Sequence, residues 1–485
     1  MSPDRLPFTS LFIDGTWRPS STGATFPVHA PSSTTPVGTA ASASPPDCAA
    51  AIAAAARAFP AWESTPLSSR RDVFLRAADR LAAGARRGAV VAAAAAETGA
   101  TAELTGAMHD LQAHYLRDVA ALGATLRGET FPSSVPGGQA FAHRRAFGVV
   151  LAIAPWNAPF NLTIRAFAVP IMWAEECPRV QAMTVEIFEE AGLPKGVLNF
   201  LPVSKEDSPA RVAEMIAHPL VRKVNFCGGA RVGSIIAQEA AKYLKPCVME
   251  LGGKTPAVVL ADADIPRAAR AITSSALMNA GQVCMSTERV IVHKDVEAAL
   301  IQELTQLFKQ VKIGDPERDP SAVLSGLFTQ ASAERVVELM KDAVASGAQV
   351  VTGDLTRQEG VIQPHILRDV KPGMALWEKE SFGPVIVFAV ANTEAVDLAN
   401  ASEYSLSASL WTRDVYLAHR IGARIRANCV NINGPTVHAE WQRSMGGLGG
   451  MSGYGHFDVE DWTQSRLLVL HPEQEHPYPV VSLLE

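Results

Sequence analysis

The sequence has few charged residues and few aromatic residues, and both shortages exclude classes of protein. Charged residues make up 19% and aromatic residues 7% of the 485 residues, and the formal net charge is −6. A mildly acidic chain offers no broad basic surface for nucleic acid or for an anionic membrane. We therefore expect neither nucleic acid nor a membrane among its partners.

Cysteine is also scarce, with six residues in the chain and none in a C-x-x-C pattern or a Cys/His cluster. Zinc sites and disulfide frameworks need such spacing, so we expect no metal and a reducing compartment. Residues 1–15 lack the apolar segment of a secretory signal, and the run Ala89–Ala96 is too short to cross a bilayer. These absences predict a cytoplasmic protein.

Helix-like and strand-like segments follow one another along most of the chain. From Cys48 to about Gly123 the sequence has a helical period, with breaks expected at Pro60, Pro66 and Gly99. Apolar runs of the buried parallel-strand type come next, separated by helical patterns. The alternation predicts an α/β fold with two doubly wound domains. The predicted strands are Val149–Ala154, Val197–Leu201, Lys223–Cys227, Val248–Leu251, Pro256–Leu260, Val290–His293 and Val385–Ala389.

One stretch, residues 250–289, concentrates chemically useful groups. Glu250 precedes two glycines, Gly252 and Gly253, which let the backbone turn sharply and aim a carboxylate into a cleft. Cys284 lies in the context Gly-Gln-Val-Cys-Met-Ser-Thr-Glu-Arg. A thiol that attacks a carbonyl and a carboxylate that activates water form a coherent catalytic pair. The alternative for any single cysteine is a small buried hydrophobic residue.

Two turns after predicted strands are candidates for binding. Asn157 follows Pro155 and Trp156 at the carboxyl end of Val149–Ala154, where open α/β sheets place ligands. Its amide is suited to stabilise an oxyanion, and its alternative role is that of an ordinary turn former. The second turn, Phe226–Gly233, has the spacing G-x-x-x-x-G at a strand-to-helix junction. Such a turn can hold a pyrophosphate at a helix N-terminus, although a tight β–α turn alone also explains the glycines.

These motifs resemble those of the aldehyde dehydrogenase superfamily, and the resemblance spans nearly the whole chain. The family carries E-L-G-G-K, G-Q-x-C-x-S-T-E-R, F-x-G-S-x-x-x-G and E-x-F-G-P, the last matched by residues 380–384. The resemblance implies that Cys284 forms a thioester, that Asn157 and the Cys284 N–H hold the oxyanion, and that Glu250 activates water. It also implies NAD or NADP as cofactor, bound by Pro155, Trp156, Gly228, Gly229, Gly233, Leu251, Gly252, Glu380 and Phe382.

The same resemblance suggests a domain plan and an assembly. Residues 1–124 and 146–251 are expected to form the cofactor-binding domain, and residues 252–434 the catalytic domain. Residues 125–145 and 455–485 are expected to form an oligomerisation segment. The expected assembly is a homodimer or a homotetramer.

The segment after Asn157 looks most like salicylaldehyde and related aromatic aldehyde dehydrogenases. On a helix that starts there, residues i+4 and i+8 share one face. The small Ala158 leaves room for a ring, and Arg165 is suited to meet a ring hydroxyl, with a surface salt bridge as its alternative role. We expect the substrate, an aldehyde, to be lined by Ala158, Asn161, Leu162, Arg165, Val283 and Met285.

One departure from the family pattern bears on function. The pattern P-L-A-C-G-N-T-V-V-L-K-x-S-E is expected from Pro170, but this chain is shorter there by roughly eight residues, about a strand and its turn. The missing strand would carry the lysine that contacts the adenosine side of the cofactor. Either the cofactor domain is damaged there, or Ile171–Trp173 forms a stunted replacement strand, and we expect weak cofactor binding. The alternative hypothesis is a redox-impaired scaffold that acts as a cofactor-independent thiol hydrolase or as a non-catalytic oligomer.

Overall fold

Two large sheets covered by helices organise the chain in the computed structural model. The structure describes residues 6–31, 33–168, 173–174, 177–314, 319, 321–438 and 446–473. The strands are β1 (Phe8–Thr9), β2 (Leu11–Ile13), β3 (Thr16–Arg18), β4 (Thr25–His29), β5 (Pro36–Ala41), β6 (Glu129–Pro132), β7 (Gln139–Ala146), β8 (Val149–Ala154), β9 (Trp173–Ala174), β10 (Val221–Cys227), β11 (Cys247–Glu250), β12 (Thr255–Val259), β13 (Thr287–His293), β14 (Gln349–Thr352), β15 (His365–Arg368), β16 (Val385–Ala391), β17 (Ser407–Trp411), β18 (Cys429–Ile432), β19 (Gly453–Tyr454) and β20 (Thr463–Leu470).

The helices begin with a block of four that precedes the first large sheet. They are α1 (Pro45–Ser64), α2 (Leu67–Ala82), α3 (Arg87–Thr98), α4 (Ala102–Leu122), α5 (Pro159–Ala168), α6 (Pro178–Glu190), α7 (Ser208–Ala217), α8 (Ala230–Lys242), α9 (Ile265–Leu277), α10 (Glu297–Gln310), α11 (Gln330–Ala345), α12 (Ala375–Glu378), α13 (Ala395–Asn400), α14 (Val415–Gly422) and α15 (Val459–Trp462), with 3-10 turns at Gly123–Thr125, Met278–Gly281 and Gly450–Ser452.

The first four helices begin and end mostly where the sequence predicted. Ser44 and Asp47 form a capping box that starts α1, and Gly99, with φ +70°, ends α3. Pro66 separates α1 from α2 as predicted. The break predicted at Pro60 is wrong, because α1 runs through it. Pro60 is exposed, so water can reach the backbone carbonyl that loses its hydrogen bond there.

The first large sheet has the order β19-β11-β10-β8-β9. Strands β9, β8, β10 and β11 are parallel, and β19 pairs with β11 in the antiparallel sense. The strand predicted at Val197–Leu201 is wrong, because in that segment only Phe200 forms a bridge, to Phe12. Its apolar residues are buried in the core without a ladder, so the pattern signalled burial and not strand pairing.

Strand β9 is two residues long and marks the shortened part of the chain. It pairs only with Ile153 and Ala154 at the end of β8. The first four residues of β8 therefore have no partner strand on that side within the described part of the chain. Of the stunted strand expected at Ile171–Trp173, only Trp173 lies in β9, and Ile171 and Met172 lie outside the described residues.

The second large sheet has the order β14-β15-β16-β13-β12-β17-β18. Neighbouring strands are parallel except for β14, which is antiparallel to β15 at one edge. Val258, Ile291 and Val387 on its central strands are fully buried, as expected for strands covered on both faces. The two large sheets confirm the predicted α/β fold class.

A three-stranded antiparallel sheet, β20-β7-β6, is formed by segments far apart in sequence. Its edge strand β20 exposes the side chains of Leu467, Leu468 and Leu470 by 60%, 52% and 56%. The smaller N-terminal pairings are the sheet β1-β5-β4 and the hairpin β2-β3. Across the residues that the structure covers, no helix has the length and apolar character needed to cross a membrane.

Candidate active site

The predicted catalytic residues meet where the strands of the first sheet end. Asn157 lies three residues after β8, and Glu250 is the last residue of β11. Parallel strands place their carboxyl ends on one edge of the sheet, so both side chains reach the same cleft. Cys284 enters from the other side, on the loop between the 3-10 turn Met278–Gly281 and β13.

The loop that carries Cys284 is held in an uncommon backbone conformation. Asn279, Ala280 and Gly281 have φ values of +50°, +58° and +79°, in the left-handed region that non-glycine residues seldom adopt. A Cβ at Gly281 would lie 2.2 Å from the Gly383 carbonyl oxygen, so this position requires glycine. Such strain persists only where the surrounding structure fixes it, which is common at functional sites.

Asn157 is fastened to that loop by two hydrogen bonds. Its Nδ2 donates to the carbonyl oxygen of Gln282 at 3.0 Å, and Asn279 Nδ2 donates to the Asn157 carbonyl at 3.1 Å. A primary amide has two N–H donors, so one remains for another acceptor. These bonds place an amide donor against the loop that carries Cys284.

Glu250 is buried and forms an ion pair with Arg165. The surface salt bridge considered for Arg165 is therefore wrong, since its guanidinium lies inside the protein, 5.2 Å from the centre of the Phe457 ring. Burial alone would lower the pKa of Arg165, but the Glu250 carboxylate and the Cys227 thiol hold it above its ordinary range. The buried base thus carries its own counter-ion.

Cys227 is a neighbour of Glu250 that the sequence motifs did not single out. The two residues are register partners on β10 and β11. Burial raises the pKa of Cys227 well above its ordinary range, and the Glu250 carboxylate, which accepts a hydrogen bond from the thiol, raises it further. Cys227 is therefore a neutral partner of Glu250 at neutral pH, and only strand register could have revealed it.

The surroundings of Cys284, the predicted nucleophile, favour the protonated thiol. Desolvation raises the pKa of the Cys284 thiol to about 12, the Glu250 carboxylate adds to the rise, and Arg165 opposes it. Only the thiolate is a strong nucleophile. Attack on a carbonyl therefore requires that a base remove the proton, and Glu250 is the buried carboxylate that interacts with this thiol.

The loop at residues 380–383 closes the cleft over the glycines that follow Glu250. Glu380 Oε1 accepts a hydrogen bond from the Gly253 N–H at 2.9 Å, and a Cβ on Gly252 would collide with that carboxylate. Burial raises the pKa of Glu380 to about 8, and Glu288 adds to the rise. Glu288, which forms a buried ion pair with Lys254, accepts the N–H groups of Ser381 and Phe382 and so holds the loop.

Aromatic rings connect the predicted cofactor residues. Trp156 stacks on Phe328 with ring centres 4.1 Å apart and meets the edge of Phe382 at 5.9 Å. Phe382 has a φ of +55°, which is unusual for an aromatic residue. Trp156 and Phe382, both predicted to bind the cofactor, therefore lie in contact, and Phe328, which lay in no motif, packs with them.

The predicted phosphate turn leads into α8. Gly229 is the N-cap residue of this helix and supplies no side-chain cap, and a Cβ at that position would meet nothing within 4 Å. A Cβ on Gly233 would lie 2.5 Å from Leu251, so this glycine allows α8 to pack closely against the end of β11. The uncapped backbone N–H groups of such a helix start are suited to an anion.

The predicted substrate residues divide between the cleft and the surrounding core. Asn161 and Arg165 lie on α5, but Asn161 Nδ2 donates to the Met108 carbonyl of α4 at 3.3 Å. A small cavity lies between α4 and the start of α5, with Ala158 and Asn161 in its wall. Helix α4, to which the sequence assigned no chemistry, is thus a neighbour of the site. Leu162 is partly buried, Val283 is buried, and Met285 packs near Val248, Phe457 and Trp462.

No group of three or more His, Cys, Asp or Glu side chains is arranged to hold a metal ion in the described part of the protein. The cleft brings together a thiol, a carboxylate, an amide and a guanidinium, from Cys284, Glu250, Asn157 and Arg165. These groups are sufficient for nucleophilic attack on a carbonyl, stabilisation of an oxyanion and activation of water.

Comparisons with known proteins assign the family. The model of the aldehyde dehydrogenase family matches residues 17–467. Vanillin dehydrogenase of Pseudomonas sp. (strain HR199) is 41% identical over 485 residues, which cover 97% of this chain and 99% of that protein. Salicylaldehyde dehydrogenase of Pseudomonas putida is 36% identical over 486 residues, 97% of this chain and 100% of that protein.

A solved structure agrees with these relatives. The crystal structure of a salicylaldehyde dehydrogenase from Pseudomonas putida G7 complexed with salicylaldehyde superposes with a TM-score of 0.93 at 35% identity, covering 98% of this chain and 100% of that one. The chain belongs to the aldehyde dehydrogenase family. It is an NAD(P)-dependent aldehyde dehydrogenase by class, and the predicted likeness to aromatic aldehyde dehydrogenases is confirmed.

Proposed function

We propose that this enzyme oxidises aromatic aldehydes to carboxylic acids through a thioester on Cys284. The observation that carries the proposal is the hydrogen bond from Asn157 Nδ2 to the Gln282 carbonyl, because it fixes an amide donor beside the loop of the nucleophile. Glu250, buried at the end of β11, supplies the carboxylate for hydrolysis of the thioester. The predicted roles of these three residues are retained in this proposal.

Each chemical role follows from position. The Cys284 sulfur attacks the aldehyde carbon after a base has taken its proton. The second N–H of the Asn157 amide and the Cys284 backbone N–H stabilise the oxyanion, and one such donor is worth about 3–4 kcal/mol. Glu250 then takes a proton from the water that attacks the thioester. The ion pair with Arg165 holds this carboxylate in its buried position.

The residues present fit one part of a nicotinamide dinucleotide better than the other. The uncapped start of α8, with Gly228, Gly229 and Gly233, suits the pyrophosphate, and Glu380 can accept ribose hydroxyls beside Trp156 and Phe382. A nicotinamide held by these residues would supply the hydride acceptor for the oxidation. On the adenosine side, the described part of β9 ends after two residues. NAD and NADP therefore remain joint candidates, with binding weaker than is usual for the family.

The aromatic character of the substrate is supported by the walls of the site and by the relatives. Ala158 occupies little space at the start of α5, and Phe457 lies beside the guanidinium of Arg165. Two of the relatives are named for vanillin and salicylaldehyde. Both aldehydes carry a hydroxyl on an apolar ring. Arg165 is the cation that would meet such a hydroxyl in this protein.

A panel of aldehydes tests the proposal on the wild type and on Arg165→Met. The wild type should reduce NAD or NADP with salicylaldehyde, vanillin and benzaldehyde, and kcat/KM for hexanal should be at least about tenfold lower. Arg165→Met should lower kcat/KM for the two hydroxylated aldehydes about tenfold to a hundredfold more than for benzaldehyde, because a charged hydrogen bond is lost.

Arg117→Met, on the exposed face of α4, is the matched control and should leave the panel unchanged. If Arg165→Met lowered kcat/KM equally for all three aromatic aldehydes, Arg165 would act only as the counter-ion of Glu250 and would not contact the ring hydroxyl. Faster oxidation of hexanal than of the aromatic aldehydes by the wild type would reject the aromatic substrate class.

The shortened strand leads to a prediction about the cofactor. Grafting Leu-Ala-Cys-Gly-Asn-Thr-Val-Val-Leu-Lys-Ala-Ser in place of residues 171–174 should extend β9 and supply a lysine. We expect NAD to bind about tenfold to a hundredfold more tightly, as one charged hydrogen bond would give. Titration followed by intrinsic tryptophan fluorescence measures the change. Micromolar NAD binding and ordinary turnover in the ungrafted chain would contradict the predicted impairment.

The two-residue β9 also favours a second candidate function, a cofactor-independent thiol hydrolase. Cys284, Asn157 and Glu250 are sufficient for hydrolysis of an activated ester. Hydrolysis of p-nitrophenyl acetate without reduction of NAD or NADP by any aldehyde would support this second function over the first.

The sheet β20-β7-β6 supports a proposed homo-oligomer, a dimer or a tetramer. Its edge strand exposes three leucines that a second copy of the chain would cover. We propose, with the boundaries given above, that residues 125–145 and 455–485 form this interface. We also propose residues 1–124 and 146–251 as the cofactor-binding domain and residues 252–434 as the catalytic domain.

A further inference from the structure

Asn161 carries a hydrogen-bond acceptor that no described residue uses. Its Nδ2 donates to the Met108 carbonyl at 3.3 Å, and a carbonyl oxygen can only accept, so this contact fixes which end of the amide is the nitrogen. The Asn161 Oδ1 at the other end is buried and receives no hydrogen bond from the part of the chain that the structure describes. Buried polar atoms normally have a partner, because burial without one costs free energy. The amide is therefore held in place with a free acceptor.

Asn161 lies in the wall of the small cavity between α4 and the start of α5. The volume of this cavity is about 10 Å³, which is room for one water-sized group, and Asn157 and Ala158 lie in the same wall. The remaining wall is mostly apolar, with Leu104 and Met108 contributed by α4. The cavity can therefore admit a hydroxyl group, whereas a methoxy group or an aromatic ring is too large for it.

The position of Asn161 indicates which ring hydroxyl it can meet. The chain is helical from Ala158 onward, since the Leu162 N–H donates to the Ala158 carbonyl at 2.9 Å. Asn161 thus lies about one turn, roughly 5 Å, beyond Asn157, the residue proposed to hold the aldehyde oxygen. A hydroxyl next to the aldehyde on the ring stays beside Asn157. A hydroxyl on the opposite side of the ring extends far enough to reach Asn161.

We propose that Asn161 is a specificity-determining residue, whose Oδ1 accepts a hydrogen bond from a hydroxyl at position 4 of the aromatic ring. This inference rests on the proposed oxidation of aromatic aldehydes and names a substrate class within it, the 4-hydroxybenzaldehydes. Arg165, assigned above to a ring hydroxyl, is only a donor, so it does not distinguish a hydroxyl from a methoxy oxygen. Asn161 Oδ1 is only an acceptor, so it binds a hydroxyl and gains nothing from a methoxy group.

The kcat/KM values for 4-hydroxybenzaldehyde and 4-methoxybenzaldehyde test the proposal, measured at a pH low enough to keep the ring hydroxyl protonated. The wild type should prefer 4-hydroxybenzaldehyde about tenfold or more. Asn161→Leu keeps a side chain of similar size and removes the acceptor, so most of this preference should be lost. Salicylaldehyde, whose hydroxyl is next to the aldehyde, should be oxidised equally well by the wild type and by this variant.

Thr163→Val is the matched control on the same helix. Thr163 Oγ1 is also buried without a hydrogen-bond partner among the described residues, but Thr163 does not line the cavity. Valine has nearly the shape of threonine, so this variant should keep the wild-type preference for 4-hydroxybenzaldehyde. Circular dichroism checks that each variant is folded. Asn161→Ala removes the acceptor without adding bulk and replaces Asn161→Leu if the leucine variant does not fold.

Three results would overturn the proposal. Equal kcat/KM values for the two aldehydes in the wild type would mean that no residue recognises the hydroxyl hydrogen. A wild-type preference retained in Asn161→Leu or Asn161→Ala would assign that preference to another residue. An equal loss of preference in Thr163→Val would make it a general effect of altering α5. If the wild type oxidises no aromatic aldehyde with NAD or NADP, the proposed function itself is wrong, which is an outcome distinct from these three.

Discussion

Replacing Cys284 by alanine should abolish aldehyde oxidation and ester hydrolysis together. In the proposed mechanism both reactions pass through an acyl group on the same sulfur, so we expect kcat to fall by at least about 10⁴-fold in each. The substituted side chain is small and partly exposed, so the fold should be retained. Reduction of NAD or NADP, and release of p-nitrophenol, measure the two activities.

Cys227→Ser is the matched control for this variant. Cys227 also interacts with Glu250, but it is a strand residue whose thiol is engaged by that carboxylate. A serine keeps the hydrogen bond, so an acyl-enzyme should still form at Cys284. Ester hydrolysis at the wild-type rate in Cys284→Ala would remove Cys284 from the mechanism. If the acyl-enzyme were lost in Cys227→Ser but not in Cys284→Ala, Cys227 would be the nucleophile.

Glu250→Gln should separate the two halves of the reaction. The amide cannot take a proton from water, so a rapid first turnover should be followed by steady-state turnover about 10²–10⁴-fold slower. Stopped-flow absorbance at the wavelength of the reduced cofactor measures both phases. If the rapid phase vanishes in a folded variant, Glu250 acts before hydrolysis, as the base for the Cys284 thiol.

The same substitution should destabilise the protein, because it leaves the buried Arg165 without its counter-ion. Breaking a buried ion pair costs about 3–5 kcal/mol. The double variant Glu250→Gln/Arg165→Met should recover much of that free energy of unfolding without recovering turnover. Denaturant unfolding of the single and double variants measures the difference. Equal stability of Glu250→Gln and the wild type would mean that the ion pair contributes nothing to folding.

The parts of the site that the sequence predicted are those whose signals are local. Asn157 and Glu250 follow apolar strands, and glycines beside Glu250 indicate where the backbone must turn. Cys284 lies in a motif whose spacing is visible in nine consecutive residues. Such patterns predict where a strand ends and which side chain lies there.

The contacts that sequence reasoning missed join residues far apart in the chain. Arg165 and Glu250 are separated by 85 positions, and nothing local distinguishes a buried arginine from an exposed one. Helix α4 lies beside the site because of tertiary packing. Its composition is that of an ordinary helix, so nothing in the sequence indicated this position. The strand prediction for Val197–Leu201 was wrong for a related reason. An apolar run indicates that a segment is buried, but it does not distinguish a strand from irregular chain.

The leucines of β20 have a consequence for handling the protein. A strand at the edge of a sheet presents unpaired N–H and C=O groups, and here it also presents Leu467, Leu468 and Leu470 to solvent. In the proposed oligomer a second copy would cover this edge, so a protomer released by dilution would expose it for pairing with strands of unrelated chains. Losses during purification should therefore grow as samples are diluted, and a charged residue such as lysine at position 468 should give a chain that stays dispersed at low concentration.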